Sequence, residues 1–215
     1  MEKEFWLNRW EEGRIGFHRD GTHPLMERCT SILTPGQTVL LPLCGKSLDM
    51  VAMLEQGFDV VGVEIATLAI EDFFSESQIK YHQLSRPPFE IYQGVDDQVT
   101  LYQGDFFSFN ASIYSGGVDL IYDRAGLIAL PPAMRRRYIA HICSLLNSYP
   151  DASYMLICLE IDDRVVADGP PFTVTHQELT DGFSCHSIEI LSELKLPLSK
   201  GGPENALQRL YKIVR

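Results

Sequence analysis

The chain has 215 residues, of which 45% are hydrophobic and 22% are charged, as in an ordinary globular protein. Its 18 basic and 29 acidic residues give a formal net charge of −11, which opposes binding to nucleic acid because Lys and Arg clusters supply that attraction. No apolar run is long enough for a membrane span, and the five cysteines include no C-x-x-C pair, so we expect a cytoplasmic protein with reduced thiols. We also expect a monomer.

The first residues are predicted to be helical and to precede the sheet. Aromatic residues at helix-compatible spacing predict a helix over Glu2–Glu12, which Gly13 ends, and a second helix is predicted over Pro24–Leu33. Such a segment can close over a crevice. We therefore predict one domain, residues 1–215, in which residues 1–36 form a helical cover over the active site.

From Thr38 onward, apolar strands alternate with helices, which is typical of an α/β fold with a parallel sheet. The last two strands, separated by proline and glycine, predict a terminal hairpin at the sheet edge. The predicted strands are Thr38–Leu41, Val60–Val63, Thr100–Tyr102, Val118–Tyr122, Tyr154–Leu159, Ser187–Leu194 and Leu207–Val214; the predicted helices are Ser47–Gln56, Leu68–Ser75, Ala133–Leu146 and a short one near His176–Leu179.

The turn after the first strand, Pro42-Leu43-Cys44-Gly45-Lys46-Ser47, predicts a nucleoside site. A phosphate-binding loop would need glycine at position 40, which is Leu40, and a single glycine in the turn cannot form the dinucleotide fingerprint. Glu64 follows Gly45 by 19 positions, at the carboxyl end of the second predicted strand. Its two carboxylate oxygens can accept hydrogen bonds from both hydroxyls of a ribose.

Two further strand ends carry polar residues. Asp105 follows the third predicted strand, where it can accept an adenine amino proton or simply cap a helix. Asp123 and Arg124 end the fourth strand, at the edge where open α/β sheets bind ligands, and we interpret them as functional. The alternative is a local salt bridge between the two.

The sequence shows no pattern typical of metal binding or of covalent catalysis. The six histidines form no H-x-x-x-H or H-E-x-x-H motif, so we expect no metal. No G-x-S-x-G nucleophile elbow occurs, and Cys44 is expected to be a buried packing residue. A role in covalent catalysis is not predicted.

Seven different short motifs occur in order along almost the whole chain. They are Phe5-Trp6-x3-Trp10, Gly16-Phe17-His18, Pro42-Leu43-Cys44-Gly45-Lys46-Ser47, Val61-Gly62-Val63-Glu64, Asp123-Arg124-x-Gly126-Leu127, Gly169-Pro170-Pro171-Phe172 and Gln208-Arg209-Leu210-Tyr211. Together they resemble a thiopurine S-methyltransferase of the bacterial type. This resemblance implies a Rossmann-like, seven-stranded S-adenosylmethionine-dependent methyltransferase fold, with a mostly parallel sheet, a C-terminal antiparallel hairpin and an N-terminal helical cover.

The resemblance also implies an activity and its residues. The activity is methyl transfer from S-adenosylmethionine to the sulfur of aromatic or heterocyclic thiols, including thiopurines, as in detoxification, with S-adenosylhomocysteine as product. For the mechanism, we expect the Arg124 guanidinium to favour the thiolate form of the acceptor, and Asp20 or water to take the proton from a less acidic thiol. The implied cofactor contacts are Trp10, Leu43, Gly45, Glu64, Gly104, Asp105 and Arg124, and the implied substrate contacts are Phe17, Arg124 and Lys200.

Three alternatives stay open at this point. The same fold could methylate another small acceptor, such as a selenium or tellurium species. The chain could instead be a nucleoside-binding module without chemistry. A nucleotide hydrolase that uses Gly45-Lys46-Ser47 as a phosphate site is the third alternative, and Leu40 weighs against it.

Overall fold

The structure is a computed structural model that describes residues 3–96, 98–160, 169–196 and 206–215. It divides into two compact units, of which the first ends at Ile121 and the second begins at Tyr122. The boundary falls inside one strand, β6 (Leu120–Arg124), so each unit contains part of that strand. Whether the chain forms one domain, as the sequence predicts, stays a prediction.

The first unit is a sheet with helices. Its strand order is β3-β4-β5-β2-β1-β6, in which β5, β2, β1 and β6 are parallel and the β3–β4 hairpin is antiparallel. The elements before β6 are α1 (Lys3–Glu11), α2 (Met26–Thr30), β1 (Thr38–Pro42), α3 (Leu48–Glu55), β2 (Asp59–Glu64), α4 (Thr67–Glu76), β3 (Tyr81–Arg86), β4 (Phe89–Gly94), β5 (Val99–Gln103) and a 3-10 turn (Phe106–Ser108).

Burial explains why the central strands form here. Every residue of β1 is buried, and in β2 only Asp59 is partly exposed, as expected for parallel strands covered on both faces. Helix α3 begins where the Ser47 hydroxyl accepts the Asp49 backbone N–H. These local signals place the turn between β1 and α3 at the carboxyl edge of the parallel strands.

The amino-terminal segment packs on the start of α4. Trp10 is buried against Ala66 and Ala69, and Leu7, Ile15 and Phe17 pack around this cluster. Aromatic side chains contribute much apolar area for few rotatable bonds, which suits a short helix with little other burial. The segment after α1 is therefore held close to the end of β2.

The second unit continues from β6 into a largely antiparallel arrangement. Its strand order is β6-β7-β9-β8, and β9 is antiparallel to both β7 and β8. The predicted C-terminal hairpin is therefore confirmed. The elements are a 3-10 turn (Leu127–Ala129), α5 (Pro132–Ser148), β7 (Ser153–Glu160), α6 (His176–Gly182), β8 (Ser187–Leu196) and β9 (Ala206–Val214).

The sequence did not predict the β3–β4 hairpin. All six residues of β3 are exposed, so its polar and apolar side chains follow no burial pattern, and only β4 shows buried positions. The hairpin adds two strands, and antiparallel pairings, to the seven that were expected. Within the described residues, no helix combines the length and hydropathy of a membrane span.

Candidate active site

Glu64 is the last residue of β2, and its carboxylate binds backbone from two turns. Oε2 accepts the Gly45 N–H at 2.9 Å, while Oε1 accepts the N–H groups of Ile65 and Ala66, each at 2.8 Å. The side chain is only 5% exposed. Burial raises its pKa, and the three N–H bonds oppose that rise without cancelling it. The carboxylate thus joins the turn after β1 to the turn after β2.

The number of acceptor positions limits what Glu64 can bind. A carboxylate offers about four acceptor positions, and within the described residues three are occupied. The remaining position is on Oε2. A ribose can therefore gain one hydroxyl bond here, and a second only by displacing one of the three N–H donors. Binding of both ribose hydroxyls by Glu64 stays a prediction, and the three N–H bonds leave an open acceptor position for only one of them.

The turn after β1 is shaped by two residues in the left-handed region. Leu43 has φ +50° and Gly45 has φ +53°. A Cβ added at Gly45 would lie 3.1 Å from the Trp10 ring, so only glycine fits there without displacing the indole. Trp10 is 5% exposed. The structure therefore brings together Trp10, Gly45 and Glu64, three of the predicted cofactor residues, with half-buried Leu43 in the same turn.

Phe17 lies beside this group, and its predicted contact with the substrate stays a prediction. Its ring makes edge-to-face contacts with Trp10 at 5.5 Å and with Trp6 at 5.6 Å between centroids. The three rings form an aromatic wall next to the Gly45 turn. Asp20 is exposed, three residues beyond Phe17, and its role in taking a proton stays a prediction.

Gly104 and Asp105 follow β5, the neighbour of β2. The Gly104 N–H donates to the Glu64 backbone carbonyl at 2.8 Å, and a Cβ at Gly104 would meet the Phe89 ring at 2.5 Å. Asp105 accepts the Phe107 N–H at 3.0 Å and forms an ion pair with Lys3 at 3.2 Å. The helix-cap interpretation of Asp105 is thus confirmed, while its adenine contact stays a prediction.

The turn after β1 also contains Lys46 and Cys44, whose surroundings argue against phosphate binding by the lysine and against a reactive thiol. Lys46 Nζ lies 2.9 Å from an Asp72 oxygen and 2.6 Å from a Glu76 oxygen, both on α4. Burial lowers its pKa, but these bonds outweigh burial and raise it, so the charge is already neutralised and unavailable to phosphate. Cys44 is buried, and burial raises its thiol pKa, as a packing role requires.

In the second unit, Asp123 and Arg124 end β6 with different environments. Asp123 is fully buried, and its carboxylate accepts the hydroxyls of Tyr138 and Tyr154 and the N–H groups of Gly126 and Leu127. Arg124 is half-buried at the end of the strand. The two tyrosines were not predicted as site residues, because on a helix and in a strand they read as ordinary core aromatics.

The remaining predictions concern a lysine and metals. Lys200 lies outside the described residues. In the part of the chain that the structure describes, no group of three or more His, Cys, Asp or Glu side chains could hold a metal ion.

The family model of thiopurine S-methyltransferase (TPMT) matches residues 1–200 of the chain. The chain belongs to the thiopurine S-methyltransferase family. A thiopurine S-methyltransferase of Bordetella petrii is 39% identical over 93% of this chain and 90% of its own length. One of Pseudomonas putida is 37% identical over 100% of both chains. The predicted family and the predicted class, an S-adenosylmethionine-dependent methyltransferase, are therefore confirmed.

Solved structures agree on the fold. Magnesium protoporphyrin IX methyltransferase from Synechocystis, with S-adenosylhomocysteine bound, has a TM-score of 0.67 at 13% identity and covers 100% of both chains. The Burkholderia thailandensis 1,6-didemethyltoxoflavin-N1-methyltransferase, also with S-adenosylhomocysteine, has a TM-score of 0.66 at 16% identity over 99% of this chain and 87% of that one. The predicted methyltransferase fold is confirmed, and identities this low carry no argument about the substrate.

Proposed function

We propose that the chain transfers the methyl group of S-adenosylmethionine to the sulfur of aromatic or heterocyclic thiols, including thiopurines, and releases S-adenosylhomocysteine. The observation that supports this most is the Glu64 carboxylate, buried beside the Gly45 turn with one acceptor position left on Oε2. It suits a neutral hydroxyl of a nucleoside. The neighbouring Lys46 is occupied by two carboxylates, which argues against a phosphate and hence against the hydrolase alternative.

The first unit would hold the cofactor. Glu64 would accept a ribose hydroxyl, Leu43 and Gly45 would line the turn beneath it, and Gly104 and Asp105 would lie at the adenine. S-adenosylmethionine brings a methyl group already activated on a sulfonium, so the protein has to align two sulfurs and exclude water. The aromatic wall of Trp6, Trp10 and Phe17 suits that task, because desolvation favours attack by an anionic thiolate.

Arg124 would serve the methyl acceptor and would also contact the cofactor. A guanidinium favours the ionised form of a nearby thiol, and aromatic thiols already ionise near neutral pH. Asp20 or water would take the proton from a less acidic substrate, and Lys200 would supply a second basic contact. Phe17 would face the acceptor ring. We propose further that the protein acts as a monomer in the cytoplasm, which light scattering and fractionation test.

A screen with labelled S-adenosylmethionine tests the activity. Aromatic thiols, thiopurines, aliphatic thiols and reduced selenium and tellurium compounds serve as acceptors. We expect label on sulfur of the aromatic and heterocyclic thiols at the highest rate. Faster transfer to selenium or tellurium would assign the enzyme to those acceptors, whereas cofactor binding without any transfer would favour the nucleoside-binding module.

Calorimetry on Glu64→Ala tests the cofactor site. We expect S-adenosylmethionine affinity to fall by roughly ten- to a hundredfold, the usual worth of one hydrogen bond to a charged group. Glu55→Ala is the matched control, since Glu55 is exposed at the end of α3. Unchanged affinity in folded Glu64→Ala would contradict the ribose assignment.

A further inference from the structure

Asp123, Tyr138 and Tyr154, together with the Gly126 and Leu127 amides, form what we name the Asp123 cluster. All three side chains are 0% exposed. Oδ2 accepts both tyrosine hydroxyls at 2.7 Å, and Oδ1 accepts the Gly126 N–H at 2.9 Å and the Leu127 N–H at 3.3 Å. These four donors occupy the roughly four acceptor positions of a carboxylate. The cluster therefore has no room for a ligand.

The two oxygens have separate tasks. Oδ2 connects β6 to α5 through Tyr138 and to β7 through Tyr154. Oδ1 bonds the start of the turn that follows β6. The Asp123–Gly126 bond closes a ring of backbone that contains only Arg124 and Ala125, so the conformation at Arg124 is fixed from both sides.

The turn inside this ring would not hold its shape alone. Ala125 has φ +75°, a left-handed conformation that costs a residue with a Cβ about 1–2 kcal/mol. A Cβ at Gly126 would lie 2.6 Å from Asp123 Oδ1 and 3.0 Å from Tyr138 Oη, so the backbone approaches as closely as glycine permits. The carboxylate thus stabilises a turn that the local sequence disfavours.

Stability alone is a poor reason for a buried carboxylate here. Desolvation makes such a charge costly, and apolar replacements of similar volume are often neutral or stabilising in other proteins. The four donors instead provide direction, because each bond fixes one backbone or side-chain position. Burial raises the pKa of Asp123, and the four donor bonds oppose that rise.

We propose that the Asp123 cluster is a positioning device for Arg124, holding the backbone on both sides of the arginine so that its guanidinium is presented for methyl transfer. This inference rests on the proposed role of Arg124. Asp123 and the tyrosines are positioning residues, since they act only through the turn. Damage to the cluster should therefore reproduce the kinetic pattern of Arg124→Ala at a smaller amplitude.

Single hydroxyl deletions test this without removing the charge. We expect Tyr138→Phe and Tyr154→Phe to fold and to slow single-turnover methylation of an aromatic thiol by about tenfold or more, since small misplacements of reacting groups are expensive. Tyr211→Phe is the matched control, because Tyr211 is 1% exposed in β9 and is not among the donors to Asp123. It should keep the wild-type rate.

A double variant separates positioning from general stability. If the cluster acts through Arg124, then Tyr154→Phe combined with Arg124→Ala will be no slower than Arg124→Ala alone. Multiplying effects, or hydroxyl variants that lose only melting temperature while keeping the wild-type rate, would overturn the inference. Full activity of Arg124→Ala itself would overturn the proposed role of Arg124 instead, and the two failures are thus distinguishable.

The pH profile is a second readout. The titratable side chains that act on Asp123 are Tyr138 on α5 and Tyr154 on β7, and Asp123 in turn acts on Cys158 of β7. Burial raises the pKa of all three side chains well above their usual ranges. Removing the Tyr154 hydroxyl raises the Asp123 pKa further, and protonation at the vacated position on Oδ2 weakens the remaining bond from the Tyr138 hydroxyl, because the hydroxyl oxygen of a carboxylic acid is a poorer acceptor than a carboxylate oxygen. The turnover of Tyr154→Phe should therefore fall at a higher pH than that of wild type on acidification. Coinciding acid limbs would contradict positioning by the carboxylate.

Discussion

Two buried carboxylates, Glu64 and Asp123, lie at the ends of strands, and they differ in how many hydrogen-bond acceptor positions remain open. Glu64, the last residue of β2, binds three backbone N–H groups and keeps one acceptor position. Asp123, near the end of β6, binds two backbone N–H groups and two tyrosine hydroxyls and keeps none. Both are almost fully buried, and burial raises the pKa of both.

The difference distinguishes the proposed cofactor-binding residue, Glu64, from the proposed positioning residue, Asp123. Position at the carboxyl end of a strand suggests function for both residues equally. The count of donors decides between them, because a saturated carboxylate cannot gain a bond from a ligand without losing one from the protein. In the Asp123-Arg124 motif, the proposed role in methyl transfer is therefore assigned to the arginine and not to the aspartate.

The largest expected effect is the loss of stability in Asp123→Ala. Two tyrosine hydroxyls and two amides lose their acceptor, and each stranded buried group costs about 1–3 kcal/mol. We expect the free energy of unfolding to fall by roughly 3 kcal/mol or more, measured by urea denaturation. Asp151→Ala, at an exposed turn position, is the control and should change little. Equal losses in the two variants would remove the basis for the Asp123 cluster.

The next effect concerns the turn that supplies one donor to Glu64. Gly45→Ala places a Cβ in the left-handed region, at about 1–2 kcal/mol, and 3.1 Å from the Trp10 ring. Gly13→Ala is matched, since Gly13 has φ +64° and open space around its Cβ position. We expect both to lose unfolding free energy, but only Gly45→Ala to lose S-adenosylmethionine affinity in calorimetry. Similar affinities would mean that the turn does not shape the cofactor site.

Replacing each carboxylate by the amide of the same shape tests the comparison of Glu64 with Asp123 with smaller expected effects. Glu64→Gln presents an N–H₂ group where Oε2 accepts the Gly45 N–H, so we expect about a tenfold loss of cofactor affinity, near 1.4 kcal/mol. Asp123→Asn can keep the bonds to the turn on its remaining oxygen and should retain more activity than Asp123→Ala. A loss of cofactor affinity in Asp123→Asn as large as the loss in Glu64→Gln would contradict the division between binding and support.

The sequence predicted the parts of the site that depend on strand ends. Glu64 and Arg124 follow runs of buried apolar residues, and the strands form nearly where the runs lie. The donors to these groups could not be predicted, because they come from distant positions. Tyr138 and Tyr154 lie 15 and 31 residues beyond Asp123, and nothing in their local pattern distinguishes them from core aromatics.

Similar reasons explain the other gaps. The two carboxylates that neutralise Lys46 lie 26 and 30 residues later, on a helix whose register the sequence alone does not fix against the turn. The β3 strand has no buried face, so periodicity carried no signal for the hairpin. Long-range polar pairing and exposed edge strands are where local patterns lose their information.

The smallest expected effect is on the pH dependence of the unfolding free energy. Glu64 and Asp123 should both contribute to it, but only the contribution of Glu64 should change when the cofactor binds. Burial gives Glu64 and Asp123 higher pKa values in the folded chain than in the unfolded chain, so the folded state binds more protons between the two values. Each therefore contributes stability that is fully present below the unfolded pKa and is lost as the pH rises through the folded pKa. Urea denaturation of wild type, Glu64→Gln and Asp123→Asn over a pH series isolates the two contributions.

Added S-adenosylmethionine then separates them. A ribose hydroxyl donated to Oε2 stabilises the charged form of Glu64 and lowers its pKa, so saturating cofactor should reduce the pH-dependent difference between wild type and Glu64→Gln. The acceptor positions of Asp123 are already filled. The difference in unfolding free energy between wild type and Asp123→Asn should therefore vary with pH in the same way with and without cofactor. A cofactor effect on the Asp123 slope alone would place the ligand-responsive carboxylate in the second unit and reverse the assignment of the two residues.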